Sequence, residues 1–113
     1  MPRDYRLQID DILTAVARIR AYVQGMSYDA FRADGRTQDA VVRNLEVIGE
    51  AARTLPDEVK ADASNVEWRK LVGLRNLLIH EYFGISLPII WDIITTKLVD
   101  LEVACQRIAG SLG

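Results

Sequence analysis

The sequence predicts an all-α fold, an antiparallel bundle of four main helices with short helical turns between them. Three observations carry this expectation. Apolar residues recur at three-and-four spacing along almost the whole chain, which is the signature of helices with one buried face. No segment alternates with period two for long. Gly25, Pro56 and Gly84 punctuate the pattern into lengths that suit helices rather than strands. With 113 residues and 12.7 kDa, the chain has room for a single domain, 1–113, and one core.

The first helix is expected from Tyr5 to Gln24, burying Ile9, Ile12, Leu13, Val16, Ile19 and Val23 and leaving Asp10, Asp11, Arg18 and Arg20 in water. Gly25 stops it. In the polar stretch 27–36, Tyr28 and Phe31 anchor a short helical turn, and Asp34-Gly35 reads as a turn. Thr37 has the chemistry of an N-cap for the second long helix, whose buried face is Val41, Leu45, Ile48, Ala52 and Leu55. Val42 and Val47 flank that face. Gly49 inside this helix costs up to ~1 kcal/mol against Ala, but lets a neighbour approach closely. Pro56 ends the helix, and 57–63 holds one short turn. Ser64 with Glu67 has the form of a capping box opening a third helix that carries Trp68, Leu71, Val72, Leu74, Leu78 and Ile79, with Gly84 as its stop. Ser86 and Pro88 suit the first turn of a fourth helix reaching about Ala109, with Ile90, Ile93, Ile94, Leu98, Leu101 and Ile108 as its apolar positions.

Composition removes several function classes. A net charge of −2 argues against an overall basic nucleic-acid binder, though it leaves room for a local patch. Cys105 is the single cysteine and His80 the single histidine, so one chain has no disulfide, no CxxC pair and no His/Cys zinc site. The expected setting is the reducing cytoplasm. No leader-like segment opens the chain, and the most apolar run, 87–94, is broken by Asp92 and falls well short of the ~20 residues a membrane span needs. No metal or cofactor is called for.

The informative stretch is Arg75-Asn76-Leu77-Leu78-Ile79-His80-Glu81-Tyr82. Asn76 and His80 lie one helical turn apart, and Arg75 and Tyr82 two turns apart, so each pair shares a side. Arg75 and His80 are separated by roughly 140° at 3.6 residues per turn. One regular helix does not aim both at a single atom; either the turn before Gly84 distorts, or a second copy of the chain completes the site. Ionisable clusters are more often structural than catalytic, and a cation in a last helical turn offsets the helix dipole. As a functional set, these residues suit RNA cleavage by transesterification. The substrate brings its own nucleophile, the 2′-hydroxyl; a neutral-range His moves the proton and an always-charged Arg holds the phosphate. A symmetric dimer supplies two of each.

These residues resemble a known family. Arg75, His80 and Tyr82 match the R-x4-H-x-Y motif of HEPN-domain proteins, in the branch of HepT-like toxins paired with minimal (MNT) nucleotidyltransferase antitoxins. Ile48-Gly49-Glu50-Ala51, Asp39-Ala40-Val41, Trp68, Asn76 and Trp91 supply supporting matches, so the resemblance spans roughly Ile19 to Leu101. It tips the balance to the functional reading. It implies a HEPN-like bundle and a metal-independent endoribonuclease that acts on RNA as a homodimer, with assembly beyond the dimer left open. Arg75 and His80 would be catalytic at the dimer cleft, with Asn76 in support. Tyr82 would be the target of inhibitory AMPylation by a cognate nucleotidyltransferase. Ser86 departs from the pattern, where an acidic residue is expected soon after the motif. The alternative class is a non-catalytic helical module that docks a nucleotidyltransferase or a nucleotide. Tyr28, Trp68 and Trp91 are expected in the core more than on bases. Arg32, Arg36, Arg43, Arg69 and Lys70 read equally as a phosphate-binding patch or as solvated charge. Glu50 is a partner for a motif cation across helices, and Cys105 is a small buried apolar group.

Overall fold

The computed structural model describes residues 5–81 and 86–112; within that span the side chains of Arg75, Asn76, Leu77, Ile79, His80 and Glu81 lie outside the description. Every regular element among the described residues is helical. The order is α1 (Arg6–Val23), α2 (Tyr28–Arg32), α3 (Gly35–Thr54), α4 (Asp57–Ala61), α5 (Trp68–Glu81) and α6 (Leu87–Asp92), then a π-helical turn (Ile93–Lys97) that runs into α7 (Leu98–Ser111). The all-α, four-main-helix architecture is as the apolar spacing predicts.

The packing is antiparallel, and polar pins fix it. Arg6 at the start of α1 donates to the Leu112 carbonyl at 3.2 Å. Arg20, near the other end of α1, pairs with Glu102 early in α7. Arg107 donates to the Asp62 carbonyl at 2.7 Å, tying the end of α7 to the turn that opens α5. Leu7, Gln8 and Asp11 of α1 share a shallow groove with Val47, Ala51 and Thr54 of α3, so these helices also run in opposite directions. The core formed between them contains Ile9, Ile12, Val16 and Ile19 of α1, Val41, Leu45 and Ile48 of α3, and Leu98, Leu101 and Cys105 of α7. Burial pushes the Cys105 thiol up to about 12, because the thiolate cannot be solvated there.

Local chemistry sets the helix ends, and in three places it differs from the sequence reading. The cap of α3 is Asp34, not Thr37: its carboxylate accepts from the Thr37 amide at 3.1 Å and from the Thr37 hydroxyl at 2.9 Å. Thr37 sits three residues after the cap and serves as its donor. Ser64 and Glu67 form no capping box. The chain turns three residues longer before α5 begins at Trp68, and Glu67 accepts the first backbone bonds, from Lys70 and Leu71. Buried Trp68 holds that turn by donating its indole N–H to the Ala63 carbonyl at 3.0 Å. Ser86 does stand at the cap of α6, yet its side chain makes no capping bond; Pro88 occupies the first turn as expected. The predicted stop at Gly84 lies outside the described residues.

The fourth long helix is interrupted by the π turn, which the sequence reading did not foresee. Leu98 donates five residues back to Ile93, and the hydroxyls of Thr95 and Thr96 take the carbonyls of Trp91 and Asp92 at 2.7 and 2.6 Å. Two four-residue steps, Ile90 to Ile94 to Leu98, drift by about 80° at 3.6 residues per turn. The wider turn absorbs that drift, and all three side chains are buried.

Because Cys105 is sealed in the core, native protein should resist iodoacetamide at pH 8 and react once denatured. Its raised pKa has a signed consequence: the unfolded thiol ionises first, so stability should fall as pH rises above about 9. Urea titrations at pH 7.5 and 10 on wild type and Cys105→Ala check this, with the alkaline loss smaller in the variant.

Candidate active site

The proposed catalytic segment is the C-terminal half of α5. The sequence folds it as helix because Trp68, Leu71, Leu74 and Leu78 form one apolar stripe, and all four are buried. The helix is regular α from Trp68 through Glu81, so the backbones of Arg75, Asn76 and His80 share one unbroken element. The side chains of Arg75, Asn76 and His80 lie outside the described residues, as does Tyr82 entirely. The backbone is undistorted between Arg75 and Glu81; the turn before Gly84, where the sequence reading placed one of its two alternatives, runs into residues outside the description.

The surroundings of that segment follow from the antiparallel frame. α5 starts beside the α4 turn, where Arg107 of α7 reaches Asp62, and ends in the connection to α6. α6 packs on α2 through an aromatic cluster: Trp91 lies 5.2 Å from Phe31 and 6.2 Å, edge-on, from Tyr28. The end of α5 therefore shares one end of the bundle with α2, the start of α3 and the start of α6. Trp68 and Phe31 are buried, and Tyr28 and Trp91 half-buried, so these rings build the frame, as aromatics at helical spacing usually do.

The basic residues do not converge. Arg32, Arg36 and Arg43 belong to α2 and α3, whereas Arg69 and Lys70 belong to the first turn of α5, away from His80. Lys70 is paired with Glu67 at 2.7 Å, and Arg32 lies 4.0 Å from Asp29. The Lys70 hydrogen bond holds the Glu67 carboxyl below its usual range. Asp29, Asp34 and Asp39 interleave with Arg32, Arg36 and Arg43, and those six formal charges cancel. Glu50 accepts from Arg53 at 2.6 Å, a pair that raises the Arg53 pKa. Asn44 was not singled out from the sequence: it is a polar side chain buried within the apolar face of α3, where it donates to the Ala40 carbonyl at 2.9 Å. Among the described residues no three His, Cys, Asp or Glu side chains gather as a metal-holding group, and no helix is long and apolar enough to cross a membrane.

Fold and motif placement together define a helical bundle of HEPN type. The chain belongs to the ribonuclease HepT-like family, whose model matches residues 12–108. Three relatives illustrate the likeness. "Putative RNase MJ0127" of Methanocaldococcus jannaschii is 43% identical over 99 residues, 87% of this chain and 82% of the relative. "Putative RNase TTE0752" of Caldanaerobacter subterraneus subsp. tengcongensis is 38% identical over 107 residues, 95% and 93% of the two chains. "Probable ribonuclease HepT" of Thermococcus cleftensis is 31% identical over 108 residues, 96% and 98%. No solved structure matches the chain significantly.

At the start of α3, the Asp34 carboxyl is held below its ordinary value by the Thr37 amide, then by the Thr37 hydroxyl and nearby Arg36. Its folded pKa is depressed, so its contribution to stability is present above the unfolded pKa near 4 and is lost as pH falls through the folded value. Asp34→Ala should lower Tm by a few degrees at pH 7 and flatten the acid limb of the Tm–pH curve, as followed by circular dichroism.

Proposed function

We propose that this chain is a metal-independent endoribonuclease toxin, a single HEPN-like domain over 1–113 that acts in the cytoplasm as a homodimer. The observation that carries the reading is the pairing of Arg75 and His80 on one regular helix of a chain in a ribonuclease family. Roughly 140° separates the two positions around that helix, which favours a cleft where motifs from two copies meet. There the Arg75 guanidinium holds and neutralises the scissile phosphate. His80 takes the proton of the attacking 2′-hydroxyl as its oxygen bonds to phosphorus. The bond to the 5′-oxygen breaks, a 2′,3′-cyclic phosphate forms, and the leaving oxygen gains a proton from an imidazolium. Two histidines in a symmetric cleft divide the base and acid roles. Asn76, one turn before His80, supports the polar face. Regulation comes from a cognate MNT-type nucleotidyltransferase that transfers AMP to Tyr82, placing bulk and negative charge where an RNA phosphate must sit.

Arg75→Ala and His80→Ala should each reduce cleavage of a mixed RNA by about a hundredfold or more, with helicity and Tm retained and EDTA without effect on the wild type. Undiminished cleavage by purified His80→Ala protein would overturn the assignment. Partner binding by a wild type that cuts no RNA would favour the non-catalytic docking module.

A further inference from the structure

The order of charges on the outward side of α3 is complementary to its own reverse. Asp39, Arg43, Val47, Glu50 and Arg53 lie within about a third of the helix circumference. Glu50 is half-buried and the other four are exposed. Arg43 and Glu50 stand two turns apart, Asp39 and Arg53 four turns apart, and both pairs have their midpoint at Glu46-Val47. If a second α3 is laid antiparallel about a two-fold axis at that midpoint, Arg43 of each copy faces Glu50 of the other. Arg53 of each then faces Asp39 of the other. A parallel arrangement would set like charges together.

The balance of charge favours a copy of the chain over other occupants. Arg36 and Glu46 share this side of α3, so the stripe holds Arg36, Arg43 and Arg53 against Asp39, Glu46 and Glu50, with no net formal charge. Such a surface gives no electrostatic preference to an RNA backbone or to a partner of one sign. A two-fold copy matches it charge for charge. Glu50 already accepts from Arg53 at 2.6 and 3.2 Å, one bond on each oxygen, and a carboxylate has lone pairs for a second guanidinium. Asp39, Arg53, Glu50 and Arg43 would thus form one alternating network across the two copies.

The neighbouring surface of α1 supplies an independent sign of something missing. Leu7 and Gln8 join Val47, Glu50 and Ala51 in a groove of about 350 Å³. Leu7 is 66% exposed and Val47 38%, so the groove leaves aliphatic surface in water. The Gln8 side-chain oxygen is buried and has no hydrogen-bond partner among the described residues, a costly state for an acceptor. Glu50 lies in the same groove, so an Arg43 guanidinium brought to it by a second copy arrives with donors to spare for Gln8.

We propose that this α1–α3 face docks a second copy of the chain, with the two α3 helices antiparallel about a two-fold axis at Glu46-Val47. The proposal deepens the homodimer of the proposed function by naming its surface, and it is tested by association alone, without RNA.

Sedimentation of the purified wild type should show a dimer that weakens with salt. Arg43→Glu sets acid against acid twice and should raise the dimer Kd about tenfold or more, with Tm retained. Adding Glu50→Arg to Arg43→Glu restores opposite signs across the axis and should recover most of the affinity. Val47→Cys should cross-link two copies under mild oxidation, because the two Val47 positions meet at the axis while Cys105 is buried. A dimer indifferent to Arg43→Glu, a swapped variant as weak as Arg43→Glu, or a Val47→Cys protein that forms no cross-link would overturn this face and leave the ribonuclease reading standing. A monomeric wild type would overturn the face and the homodimer together. A dimer that responds as expected but cuts no RNA would keep the face and overturn the ribonuclease reading.

Discussion

An unbroken α5 is the constraint on which the proposed chemistry depends. A regular helix fixes the angle between any two of its residues, and between Arg75 and His80 that angle is roughly 140°. Two side chains so placed converge on a single atom only with help from outside the helix. Under the proposed ribonuclease reading, this geometry couples catalysis to self-association. The backbone carries no kink from Arg75 to His80. The helix stays regular because its stripe from Trp68 to Leu78 is buried against the core, and breaking it would expose that stripe.

The frame that holds α5 works by division of labour. Apolar burial on α1, α3 and α7 supplies the driving force, and a few polar pins choose the direction of packing. Arg6 on Leu112, Arg20 with Glu102 and Arg107 on Asp62 add little energy as exposed contacts, but each is satisfied in only one arrangement of the helices. The π turn belongs to the same logic. It spends some regularity between Asp92 and Leu98 so that the residues on both sides of it face one core. It also helps shape a cleft beside α5, to which Ile93 and Lys97 contribute.

Much of this was legible in the sequence, for identifiable reasons. The stripe Ile9, Ile12, Val16, Ile19 reads directly as a buried face, because period and burial are the same fact on a helix. Gly25, at φ +76°, and Pro88, in a first turn, behave as their backbone chemistry requires. Where several residues of similar chemistry competed, the pattern alone did not decide. Asp34 and Thr37 are both good caps three residues apart, and the carboxylate wins because Thr37 can donate to it twice. Ser64-to-Glu67 has the spacing of a capping box, but buried Trp68 anchored on Ala63 delays the helix. The π turn depends on two threonine hydroxyls bonding backward, and apolar spacing does not register them. Tertiary distance explains the rest: Arg32 and Arg69 look like one patch in a list of cations and belong to different helices in the fold. The motif itself was legible only as a spacing on one helix; in the proposed site, how Arg75 and His80 meet a substrate depends on a second copy of the chain.

That dependence can be measured directly. Differently tagged Arg75→Ala and His80→Ala chains, co-expressed and purified as mixed dimers, each lack one of the two groups but together hold an intact Arg75 and an intact His80. RNA cleavage above that of either parent homodimer, and below that of wild type because one of the two histidines is missing, is the expected result. Cleavage no higher than in the parents would contradict a site assembled from two copies.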